Sequence, residues 1–246
     1  MKWLHFTKQG CALLFCLILI ASNSGAYCIT EDDFIIEAHD SCYITALRSN
    51  SYYGNKPVII FFPGSGECCS AYSTIRFLER YCLYDDLYVD IVLVTLKSEP
   101  DNYRCWERAS EDVLDFMFDK YDPLGDDEKF PIIVDAVSFG GYGGCFLTDL
   151  LMDSGVWVDE LNLADACSSY CISSDWIRNL SRRGTRVNIY ASNEEREISY
   201  ATRTIISDLQ GTNRVFSDVF NVSHGEVLGE AIHEEGLHAE WINDSF

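Results

Sequence analysis

Short apolar runs rich in Val, Ile and Phe recur along this chain, separated by segments whose apolar positions fall every third or fourth residue. Residues 34–38 and 43–47 read as an opening hairpin, and 57–62, 90–96, 131–137, 160–164, 186–191 and 214–222 as further strands. Several of these runs are apolar throughout rather than at alternate positions, the pattern of strands covered on both faces. Between them, Val113, Leu114, Met117 and Tyr121 share one helical face, as do Ile198, Ala201, Thr202, Ile205 and Leu209. Gly155, Gly184 and Gly211 stand where helices should stop. Strand and helix alternate, and right-handed crossovers turn that order into an α/β three-layer sandwich: a mostly parallel eight-stranded sheet with helices on both faces. The chemistry of such a sheet belongs at the carboxyl ends of its strands. No repeat, low-complexity stretch or long linker divides residues 27–246, which read as a single domain.

The start of the chain has a different character. Lys2 and Lys8 precede an apolar run from Cys11 to Ala21 that is short for a bilayer span, and Ser24-Gly25-Ala26 offers small residues for cleavage after Ala26. Residues 1–26 therefore read as a signal peptide, an uncleaved anchor being the rival, and the mature protein as secreted or extracytoplasmic. No later segment is apolar enough to span a membrane. Of eleven cysteines, Cys11 and Cys16 leave with the signal. The odd number remaining predicts disulfides in an exported chain with at least one thiol left over. Cys145, in an apolar helix, is the candidate thiol, and Cys167 with Cys171 a candidate local pair. Sequons begin at Asn179, Asn221 and Asn243.

The net charge of −21 repels polyanions, which argues against nucleic acid as a partner. A hydrophobic content of 48 % is enough to build a core. Paired Cys-x-x-Cys knuckles and His-x-x-x-His spacings do not occur, so no metal site is expected.

The segment 131–144, Pro-Ile-Ile-Val-Asp-Ala-Val-Ser-Phe-Gly-Gly-Tyr-Gly-Gly, carries chemistry. A strand runs straight into a glycine-rich helix start with Ser138 at the bend and the small residues Ala136 and Gly140 two positions either side. A dinucleotide-binding loop would need a third glycine at a spacing that is absent. The segment resembles the nucleophile elbow of the α/β-hydrolase superfamily, with alanine in place of the usual first glycine.

That resemblance implies further roles. The general base should follow the last strand, where His224 opens a His-Gly-Glu turn; His39 precedes the serine, and His233 and His238 fall in the terminal helix. Oxyanion donors are expected from Phe139, the residue after the nucleophile, and from the loop after strand 57–62, where Ser65 is the choice and Gly66 the reserve. The acid should follow the penultimate strand, which points to Glu194, with Glu195 second on that loop and Asp165, one strand further back, the runner-up. The implied activity is that of a secreted serine hydrolase cleaving carboxylic esters through an acyl-enzyme without a cofactor. Its partner would be a small-molecule or acylated substrate. A serine peptidase or thioesterase of the same fold, or an inactive hydrolase-like binding protein, are the alternatives.

Overall fold

The computed structural model describes residues 34–47, 57–64, 89–97, 102–124, 130–166, 172–233 and 237. Eight strands form one continuous sheet: β1 (Phe34–Ala38), β2 (Cys42–Leu47), β3 (Val58–Phe62), β4 (Asp90–Leu96), β5 (Ile132–Val137), β6 (Glu160–Ala164), β7 (Arg186–Ser192) and β8 (Val215–Phe220). Their order across the sheet is β1-β2-β4-β3-β5-β6-β7-β8. The β1–β2 and β2–β4 pairings are antiparallel and all the others parallel. All eight expected strands are present, with ends shifted by a residue or two. Residues 57 and 131 drop out of β3 and β5 because proline has no ladder N–H to give. Their carbonyls still take part, accepting from Asp90 and Val58 at 2.8 and 2.9 Å.

Five α-helices lie among the described residues: α1 (Tyr103–Lys120), α2 (Gly140–Asp153), α3 (Ser174–Arg183), α4 (Glu197–Asp208) and α5 (Val227–His233). Side chains such as Trp106, Leu147, Leu180 and Ile205 from α1 to α4 pack on one face of the sheet, against Val58, Ile60, Val134, Leu161 and Val187. Val227, Leu228 and Ala231 of α5 cover the other, against Ile59, Phe61, Ile133 and Tyr190. β3, β4, β5 and β6 are buried at every position, as expected of strands with helices on both sides. This is the three-layer arrangement anticipated from the alternating pattern. No described helix is long and apolar enough to cross a membrane.

The buried side of α4 and its C-cap holds Thr202, Ile205 and Leu209 as expected, joined by Ser199 and Ile206, while Ile198 and Ala201 sit at its margin. The reason for Ser199 lies in what it bonds, described below. The disulfides expected among the cysteines other than Cys145 do not include Cys42 or Cys105, which like Cys145 are thiols. Cys42 is buried in β2 with its Sγ against Asp112 Oδ2 at 3.7 Å, and burial followed by the Asp112 charge pushes its thiol pKa far up. Cys167 and Cys171, and the sequon at Asn243, lie outside the described residues, as does the segment 1–26.

Gly155, Gly184 and Gly211 follow α2, α3 and α4 with positive φ, as helix stops require. Gly184 and Gly211 differ in surroundings: a Cβ at Gly184 would lie 2.7 Å from the Trp157 ring, whereas one at Gly211 meets nothing. Gly211→Ala should therefore lose only the left-handed strain, about 1 kcal/mol in urea unfolding. Gly184→Ala should lose about 1 kcal/mol more, an excess that disappears in a Trp157→Ala background. Equal losses in the parent background would show that Trp157 swings aside freely.

Candidate active site

The buried strand β5 ends at Val137, and the chain reverses at Ser138, whose φ of 53° is a left-handed value that few non-glycine residues adopt. Its N–H donates to the Ala164 carbonyl of β6 at 3.2 Å, and its carbonyl accepts from Gly141 at 3.0 Å. The reversal brings α2 hard against the strand ends. A Cβ at Gly140 would stand 2.3 Å from the Phe62 carbonyl oxygen, and one at Gly141 the same distance from that of Ala166. Only glycine allows so close an approach. Ser138 is 7 % exposed, held at the carboxyl edge of the sheet rather than on an open turn. Phe139 is the N-cap of α2, where N–H groups have no partner within the helix.

The neighbouring strand ends in a second strained residue. Asp165 follows β6 with φ 46°, is fully buried, and donates its N–H to the Tyr190 carbonyl at 2.7 Å. Its carboxylate is a hub. Oδ2 lies 3.0 Å from His224 Nδ1 and accepts from the Ser192 and Ser199 hydroxyls at 2.6 and 2.8 Å, while Oδ1 accepts the Ser192 N–H at 3.0 Å. Burial alone would raise this carboxyl's pKa. The hydrogen bonds from His224, Ser192 and Ser199 outweigh burial and bring it below the ordinary aspartate value. An ionised carboxylate only accepts, so His224 donates from Nδ1 and, as the neutral ring, leaves Nε2 as a base.

His224 opens a single 3₁₀ turn, His224–Glu226, just after β8, and its side chain is 14 % exposed. The turn swings the imidazole back across the end of β7 to reach β6. The carboxylate on the ring is therefore Asp165, the runner-up, and the first choice, Glu194, lies elsewhere. The loop after β7 adjoins the turn after β8, as the parallel pairing of these strands requires, but the imidazole reaches past it to the end of β6. Glu194 instead accepts the backbone N–H of His224 on Oε2 at 3.1 Å and pairs there with Arg196 Nε at 2.9 Å. Glu195 is exposed in the same bend. Ser65 and Gly66 lie outside the described residues, as does His238. His39 stacks edge-on against Phe116, and His233 closes α5.

Ser192 and Ser199 were missed in the sequence. The available signal was Ser199, a polar residue on an otherwise buried helical stripe, which must find a partner or incur a desolvation penalty.

No family model matches the chain, and no curated protein matches it by sequence. Solved structures do. An esterase of Pyrobaculum calidifontis is superposable with a TM-score of 0.57 at 15 % identity over 95 % of this chain and 90 % of that one. An α/β serine hydrolase homologue from Coxiella burnetii gives 0.53 at 13 % over 89 % and 100 %. A thermostable carboxylesterase from a metagenomic library, EstE1, gives 0.53 at 12 % over 96 % and 95 %. With the sheet order and the strained serine after β5, these likenesses establish that the chain has the α/β-hydrolase fold.

The state of Asp165 has a thermodynamic consequence. A carboxyl whose folded pKa is lowered contributes stability that is present above its unfolded value and lost as pH falls through the folded one. Asp165→Asn should cost on the order of 1–3 kcal/mol near neutral pH. That difference from the parent should shrink below about pH 4. A difference independent of pH in denaturant titrations would mean that folding leaves the Asp165 pKa unshifted, and one that grows as pH falls would mean that Asp165 is neutral in the folded protein.

Proposed function

We propose that this protein is a serine hydrolase that cleaves carboxylic esters, with Ser138 as nucleophile, His224 as general base and Asp165 as the acid that orients it. The observation that carries the reading is the His224 Nδ1 to Asp165 contact of 3.0 Å, beside a serine in a left-handed turn one strand away. Nε2 of His224 takes the Ser138 proton as Oγ bonds the acyl carbon, and the carbonyl electron pair moves to oxygen. The Phe139 N–H at the head of α2 stabilises that oxyanion, with Ser65 as the second donor. Collapse expels the alcohol, which takes the proton back from His224. Water then attacks the acyl-enzyme with its proton passing to Nε2, and the acid leaves as Ser138 Oγ is reprotonated. Asp165 holds the ring tautomer and stabilises the imidazolium throughout.

Esterases among the similar folds favour an ester over an amide or thioester as substrate. The basic and apolar character of residues 1–26 supports export. Ser138→Ala should abolish labelling by a fluorophosphonate probe and hydrolysis of p-nitrophenyl esters without altering the circular dichroism spectrum. Asp165→Asn should lower kcat about 10⁴-fold. Labelling that persists in Ser138→Ala would move the nucleophile elsewhere.

A further inference from the structure

We infer that Glu194 is a positioning residue for His224, fixing the backbone of the histidine while Asp165 fixes its ring; this rests on the triad reading above. The turn that carries His224 has little packing to hold it. Asn221, Ser223, Gly225 and Glu226 are exposed, and of its early residues Val222 alone packs on the apolar cluster beneath. Its placement depends on polar ties to the loop after β7. Asn193 Nδ2 donates to Asn221 Oδ1 at 2.7 Å, the Asn193 N–H to the Phe220 carbonyl at 3.0 Å, and the His224 N–H to Glu194 Oε2 at 3.1 Å.

The His224 N–H is one of the orphan donors at a helix start. The N–H of the N-cap Ser223 is taken by Glu226 Oε2 at 3.1 Å within a capping box, so Glu226 is already committed. Glu194 is itself braced: Arg196 Nε holds its carboxylate, and Arg203 Nη1 donates to its carbonyl at 3.0 Å and to that of Ser192. Arg203 therefore joins the loop that holds the histidine backbone to the strand end whose serine holds Asp165.

A ring hung from Nδ1 alone can pivot about that bond. A second attachment at the backbone nitrogen defines where Nε2 points, and a misplacement near 1 Å in such a group lowers turnover about 10²-fold. The geometry asks for an acceptor at this point, not for a charge, because Arg196 already offsets the carboxylate.

Three proteins separate these roles: Glu194→Ala, which removes the acceptor; Glu194→Gln, which keeps it as an amide oxygen; and Arg196→Ala. Glu194→Ala should lower kcat on a p-nitrophenyl ester by about 10- to 100-fold with KM changed less than about threefold. Amide hydrogen exchange at His224 should quicken in that variant. Glu194→Gln should restore both within about threefold of the parent, and Arg196→Ala, which loosens the Glu194 carboxylate without removing the acceptor, should fall between the parent and Glu194→Ala. Parental kcat in Glu194→Ala overturns the inference, as does a Gln variant as slow as the Ala variant with normal exchange, which would give the role to charge. If the parent is not labelled by a fluorophosphonate, the hydrolase reading falls instead. Exchange at His224 then still reports whether Glu194 holds the turn, unchanged exchange in Glu194→Ala overturning that part independently.

Discussion

The buried carboxylate of Asp165 binds together four parts of the molecule that are far apart in sequence. It ends β6, is capped by the end of β7 through Ser192, takes the Ser199 hydroxyl from the first turn of α4, and meets the ring of His224 after β8. A charge in so dry a place is tolerable only when both carboxylate oxygens are hydrogen-bonded. Here four donors surround two oxygens. The arrangement explains features that have no meaning alone: a serine on the apolar stripe of α4, a strand that ends in serine, and a left-handed aspartate. Each is a condition for keeping one negative charge beneath one imidazole.

The sheet itself sets the stage for this through its register. β5, β6, β7 and β8 run parallel, with Val137 opposite Ala164, Ala164 opposite Tyr190, and Ser192 opposite Phe220. Their next residues therefore emerge on one edge. A polar row deeper in the same strands follows the same register: Asn162 Nδ2 donates to Asp135 and Asn188 Nδ2 to Asn162, each at 2.7 Å. Shifting any of these strands by one residue would turn the row and the site-bearing ends to the wrong face together. Buried polar bonds of this kind thus bind register and active-site geometry into one requirement.

What the sequence reveals follows from which signals are local. The central strands β3, β4 and β5 were legible because burial on both faces leaves nearly continuous apolar runs, and the elbow because Gly140 and Gly141 must sit against the Phe62 and Ala166 backbones. Ser138 stands out in the sequence through the glycine-rich elbow and His224 through its place after the last strand. Which carboxylate meets the His224 ring was not legible, since choosing between Glu194 and Asp165 depends on how a three-residue turn after β8 folds back over β7, a tertiary fact with no local trace. Both carboxylates do touch His224, one at the ring and one at the backbone, so the loop after β7 was the right neighbourhood with the wrong atom. The thiols of Cys42 and Cys105 escaped for another reason: cysteine count speaks to compartment, whereas pairing is decided by geometry.

Backbone strain ties these threads together. Ser138 and Asp165 both hold positive φ at adjacent strand ends, and each such residue costs on the order of 1–3 kcal/mol. A chain leaving a strand in extended form would carry its next side chain along the sheet plane. The left-handed residue breaks that path within one peptide, so the side chain stays at the sheet edge while the backbone departs. The strain is sustained because the surroundings over-determine it: Ser138 N–H is held by Ala164, Asp165 N–H by Tyr190, and α2 is locked against β3 and β6 by glycines that leave no slack. His224 lacks that rigidity, lying on an exposed turn after an edge strand whose residues are mostly solvent-facing. Two of the three groups are thus fixed by the core, whereas the turn that carries the third is anchored by Val222 before it and Val227 after it and is otherwise held by polar ties to the loop after β7.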